Sequence, residues 1–88
     1  MRLNVYTIYD SKAEAYNQPF YSQTHGTAIR AVLSMMSDPK HPFALFTEDY
    51  TLFCIGAWDD EHGVFEIGEA KLNLGGLHEI FKTEVEEL

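Results

Sequence analysis

Residues Leu3–Tyr9, LNVYTIY, put Leu3, Val5, Thr7 and Tyr9 on one side and Asn4, Tyr6 and Ile8 on the other, a two-residue period that predicts a β-strand. Asp10-Ser11-Lys12 reads as a turn, because Asp and Ser side chains bond back to nearby backbone N–H groups. Ala13–Gln18 stays open between a helical turn and extended chain, with Pro19 disfavouring helix at Gln18. Phe20–Gln23 predicts a short second strand beside the first. The period then changes. After Thr24, a good N-cap residue, Ala28, Ile29, Val32, Leu33 and Met36 share one helical face. That helix is expected to reach about Ser37 and to stop before Asp38-Pro39, since proline cannot continue the ladder. Lys40–Glu48, with its own Pro42, is expected as a loop.

Two apolar runs, Tyr50–Trp58 and Val64–Ile67, flank the acidic break Asp59-Asp60-Glu61-His62-Gly63 and predict a β-hairpin, with Gly63 supplying the positive φ that closes it. Tyr50–Ile55 is apolar at both parities, so this strand is expected at the centre of the sheet and covered on both faces or nearly so. Gly75-Gly76 interrupts the chain before a last helix over about Leu77–Val85. Its acidic end, Glu84-Val85-Glu86-Glu87, opposes the negative pole of the helix and is expected to fray. The order β-β-α-β-β-α predicts a single α+β domain over 1–88, with an antiparallel sheet of about four strands and a helix packed on one face. Residues 68–88 are its least defined part.

Eighty-eight residues make one domain, and 45% apolar with 14% aromatic content supplies a core. No apolar run is long enough for a transmembrane helix, and Met1-Arg2-Leu3-Asn4 runs straight into strand-like sequence, so neither a membrane span nor a secretory leader is expected. Cys54, the single cysteine, lies within the apolar strand and reads as a small hydrophobe in a reducing cytoplasm. Charge narrows the partners most. Fourteen acidic residues stand against six scattered cations, a net charge of −8, with no basic stripe to meet phosphate or an anionic membrane.

His25, His41, His62 and His78 lie too far apart to form a metal-ligand unit, and Asp59-Asp60-Glu61 lacks EF-hand spacing and reads as a turn. No nucleophile motif, P-loop or dinucleotide fingerprint occurs, so no catalytic residue, cofactor or metal is expected. Aromatic residues crowd the first quarter. Tyr6 and Phe20 are assigned to packing, whereas Tyr9, Tyr16 and Tyr21, beside polar loop residues, are candidates for stacking nucleic-acid bases. Lys12, Arg30 and Lys40 are the candidate phosphate partners.

The segments YDSKAEAYNQPF (Tyr9–Phe20) and EDYTLFCIGAWDDEHG (Glu48–Gly63), joined by AIRA at Ala28–Ala31, resemble the small nonstructural protein of gokushovirus-type microviruses, which are single-stranded-DNA phages. The likeness runs from Leu3 to about Glu66. Beyond it, only the LG-x-x-x-E pattern at Leu74–Ile80 matches, and Thr47 stands where the family carries proline. The resemblance implies a nonstructural protein of the infected bacterial cytoplasm, described as DNA-binding and acting in genome replication or packaging. Two functions are therefore carried forward. One is association with single-stranded DNA or the replication complex through the six residues named above. The other is an acidic adaptor that binds a basic viral or host replication protein without touching DNA. A homodimer would serve either, because an open sheet has edges to pair.

Overall fold

The computed structural model describes residues 2–86, with side chains through residue 84. Its elements are β1 (Arg2–Asp10), β2 (Ala15–Tyr16), β3 (Phe20–Ser22), α1 (His25–Met36), α2 (Pro42–Leu45), a 3-10 turn (Thr47–Asp49), β4 (Tyr50–Asp59), β5 (Val64–Gly76) and α3 (Leu77–Glu86). All strands pair antiparallel. β4 is the central strand between β1 and β5, and β2 and β3 lie end to end along the other edge of β1. The α+β domain with an antiparallel sheet expected from the sequence is the observed fold.

Asp10 builds the first turn as expected: its Oδ1 accepts from the backbone N–H groups of Lys12 (3.0 Å) and Ala13 (3.2 Å). Of the ambiguous stretch after it, Ala15–Tyr16 is strand, because Tyr16 pairs with Tyr9 and Ala15 with Asp10. Pro19 carries no N–H, and the edge strand breaks over Asn17–Pro19. Asn17 bridges the break, donating its N–H to the Ile8 carbonyl (2.8 Å) and accepting from Thr7 Oγ1 (2.7 Å).

Thr24 caps α1 through a reciprocal box with Thr27, each side chain accepting the other's backbone N–H at 3.1 Å. Ala28, Val32 and Met36 then face the sheet and pack on Tyr6, Ile8 and Leu52, with Ile29 and Leu33 at the margin. Residues 40–48 are not the open loop expected. Pro42 sits at the first helical position, where its missing N–H costs nothing, and His41 Nδ1 accepts the Phe43 N–H at 3.0 Å. This one-turn α2 drives Phe43 into the core against Tyr50, ring centroids 4.8 Å apart. Leu77 and Ile80 of α3 complete the layer, and each fully buried aliphatic side chain contributes about 1.5–3 kcal/mol.

Two expectations about the hairpin change. β5 does not end at Ile67 but continues to Gly76, because it pairs with β4 through two irregularities, Leu74 being extra against β4 and residues 68–71 standing against the single residue Ile55. Nor is β4 covered on both faces. Helices lie only on the side of Tyr50 and Leu52, leaving Phe53 and Ile55 part-exposed on the other. The fraying expected of the acidic C-terminal end falls largely on residues 85–88, outside the described side chains.

Candidate functional site

The helix-free face follows from β1 alternation. With Tyr6 and Ile8 turned to the helices, Leu3, Val5, Thr7 and Tyr9 point the other way. Pairing carries this face across the sheet: Tyr21 lies beside Val5, Tyr16 beside Tyr9, Phe53 beside Thr7, and Trp58 beside Leu3. The three candidate tyrosines therefore share one surface. Tyr16, 47% exposed, stands between Tyr9 (centroids 4.7 Å) and Phe53 (6.0 Å). Tyr21 is set apart, its partner on β1 four residues from that of Tyr16, or about 13 Å along the strand. A second pair of rings, Trp58 and Phe65 at 4.8 Å, occupies the far end of the same face.

The cations are distributed otherwise. Lys12 projects from the turn between β1 and β2, close in sequence to Tyr9 and Tyr16. Arg30 stands on the exposed side of α1, and Lys40 lies just past α1, its N–H bound to Asp38 Oδ1 (3.0 Å). Neither shares the face of the tyrosines, so the six candidate residues are not brought together in one cluster. The reason is geometric: α1 packs over Tyr6 and Ile8, the opposite parity from Tyr9. Arg2 is paired with Glu66 at the surface. Among the described residues, the cation that meets the rings is Lys71 of β5, whose Nζ lies 5.3 Å from the Tyr16 centroid. Thr7, Asn17, Pro19 and Ile55 complete a slot of about 290 Å³ beside that contact.

Phe53, Ile55 and Lys71 escaped the sequence reading. The parity of Phe53 in the central strand was a usable signal. Lys71 had none, because its position depends on the surplus residues of β5.

His25, His41 and His62 make hydrogen bonds within the fold. His41 caps α2, and His25 Nδ1 is hydrogen-bonded to the buried Tyr6 hydroxyl (2.7 Å), which also accepts from Asn4 Nδ2 (3.1 Å). Burial pushes the Tyr6 phenol above its ordinary value, outweighing the hydrogen bond from Asn4. In the hairpin turn, Asp59 Oδ1 accepts from the N–H groups of Glu61 (3.0 Å) and His62 (3.2 Å), and Oδ2 meets His62 Nδ1 at 2.8 Å. The bond from the His62 ring holds the Asp59 carboxyl below the usual carboxylate range. Asp59, Glu61 and His62 could offer ligand atoms within 4.8 Å of one another, but the Asp59 oxygens are already engaged in making the turn. Cys54 is part-buried with its Sγ 3.8 Å from the Gly56 carbonyl, the small strand residue expected. Among the described residues no helix is long and apolar enough to cross a membrane.

Residues 3–79 match a family model described as Phage ORF5 protein, a span from β1 into α3 that continues beyond the Leu3–Glu66 likeness read from the sequence. The chain belongs to that family. No curated protein and no solved structure matches it.

Proposed function

We propose that this member of the Phage ORF5 family is a non-catalytic accessory protein that docks a basic partner protein on its helix-free sheet face during replication or packaging of the phage genome. The observation that carries the reading is the separation of rings from cations: Arg30 and Lys40 stand away from the face of Tyr9, Tyr16 and Tyr21. Lys12 and Lys71 are the cations left near those rings. Two phosphate contacts on single-stranded DNA give a salt slope of only about −1.4, against the six to ten contacts of ordinary phosphate-driven binders. Fourteen carboxylates oppose even that attraction and favour a basic ligand instead. The likeness of the Tyr9–Phe20 and Glu48–Gly63 blocks to the nonstructural protein of gokushovirus-type microviruses supports the setting, the cytoplasm of an infected bacterium.

A second reading retains single-stranded DNA as the ligand, held by base stacking on Tyr9, Tyr16 and Tyr21. It is favoured by the half-exposed rings of Tyr16 and Tyr21 on a face no helix covers. Parallel anisotropy titrations separate the two, using a labelled single-stranded oligonucleotide and a labelled basic peptide at low and physiological salt. Saturable peptide binding without oligonucleotide binding supports the adaptor. Oligonucleotide binding that survives salt and is lost in the triple Tyr→Ala variant establishes the second reading and removes the first.

A further inference from the structure

We infer that the slot lined by Tyr16 and Lys71 is a receptor for an arginine or lysine side chain of a basic partner, and that Lys71 occupies the ring face of Tyr16 in the free protein. The inference rests on the basic-partner reading above and names where that partner is gripped.

Three observations meet at this point. First, the Tyr16 ring is oriented before any ligand arrives, because Tyr9 and Phe53 pack against it and leave about half of the residue exposed. Second, the ring already holds an alkylammonium. Lys71 Nζ lies 5.3 Å from its centroid, inside the 6 Å or so over which a ring quadrupole attracts a cation. Third, the space beside the ring fits the rest of such a side chain. Pro19, Ile55, Thr7 and Asn17, with Tyr16 and Lys71, line an open groove of about 290 Å³. Apolar walls accommodate a methylene stem while the charged head stays at the ring. The charge of the chain selects the same ligand, since a surface with −8 net charge attracts a basic peptide and repels phosphate.

Lys71 is an internal competitor for this place. It belongs to residues 68–71, the surplus stretch of β5 against Ile55, and so is carried on chain not held in regular register with β4. Its hold on Tyr16 is the cation–ring contact at 5.3 Å. A partner's guanidinium is planar, stacks on the ring and is less strongly hydrated than an ammonium, so it displaces Lys71 readily.

The test is a titration of fluorescein-labelled hexa-arginine into the wild-type protein, Lys71→Ala, Lys12→Ala and Tyr16→Leu at physiological ionic strength. Lys71→Ala and Lys12→Ala change net charge equally, so any extra tightening in Lys71→Ala reports release of the ring. The expected gain is about two- to fivefold beyond Lys12→Ala. Tyr16→Leu keeps apolar bulk without a π-face and weakens binding by a similar factor, while the ε-methylene signal of Lys71 moves away from its ring-shielded position as peptide is added. Circular dichroism confirms that each variant is folded, and Tyr16→Phe, which keeps the ring, binds as wild type. Equal affinities for Lys71→Ala and Lys12→Ala, with Tyr16→Leu unchanged, overturn the slot but leave the basic-partner reading intact. Binding of a labelled single-stranded oligonucleotide with none of the peptide removes both.

Discussion

Replacing Gly56 with alanine tests a close approach between two strands of this sheet. Gly56 pairs with Val5 on one side and Ile67 on the other, next to the irregularity that accommodates residues 68–71. A Cβ built there falls far inside the van der Waals envelope of the Glu66 carbonyl oxygen, and 3.0 Å from both Cα and Cδ1 of Ile67. The Ile67 side chain can rotate away, but the carbonyl and Cα are backbone, so β4 and β5 must separate locally. Overpacking of this kind costs about 1–3 kcal/mol, and stretching a ladder hydrogen bond adds about 0.5–1.5 kcal/mol. A loss of about 2–4 kcal/mol follows, from a domain whose whole stability is about 5–10 kcal/mol. In a thermal melt that is a fall of roughly 10–25 °C in Tm. Urea unfolding followed by the fluorescence of Trp58, the one tryptophan, gives the free energy directly. Gly26→Ala is the control. It lies in the first turn of α1 with only Thr24 Oγ1 near, at 3.9 Å, and alanine there stabilises by about 0.5–1 kcal/mol. If Gly56→Ala unfolds within 0.5 kcal/mol of wild type, roughly the spread of an innocuous surface change, the strands do not approach as described.

Leu52 has no exposed surface and lies under the helices, so Leu52→Ala removes about 3–4 kcal/mol in the same urea assay; a loss below about 1 kcal/mol would place it outside the core. Tyr6 ionises above its ordinary value of 10.0 in the fold because of its burial, with Asn4 acting in the opposite sense. Its contribution is complete below that ordinary value and is lost as pH rises through the folded one, so its phenolate should appear with unfolding in an alkaline absorbance titration, not before. The depressed Asp59 carboxyl has the reverse sign. Its contribution is present above the ordinary value of 3.8 and disappears as pH falls through the folded one, and Asp59→Asn should flatten that part of the acid stability profile. An open β5 edge with Val64, Phe65, Ile67 and Leu72 exposed predicts self-association in sedimentation at high protein concentration, suppressed by the double variant Phe65→Lys, Ile67→Lys.

Elements written in local chemistry were legible along the chain. Thr24 as an N-cap, the period from Ala28 to Met36, Asp38-Pro39 as a stop and Gly63 in the hairpin turn all concern residues within one or two turns of each other. Their structural counterparts lie where that chemistry puts them. Alternation in Leu3–Tyr9 even separated the helix-covered face from the aromatic one, although it could not say which of the two the helices would take. Short elements were the first loss. α2 spans only Pro42–Leu45, too few residues to show a period, and its proline reads equally as a breaker or as a first helical residue.

The candidate site divides along the same boundary. Sequence alone determined that the chain is acidic, forms one α+β domain, carries no recognisable catalytic motif, and presents Tyr9 and Tyr16 near a turn. Which cations would join those rings was decided by tertiary structure. Packing of α1 over Tyr6 and Ile8 took Arg30 to the opposite layer, while the irregular pairing of β5 with β4 laid Lys71 over Tyr16. Proximity in sequence measures distance along the chain, whereas a side chain reaches its neighbours across a sheet. In a sheet, a shift of one residue in register moves a side chain to the other face.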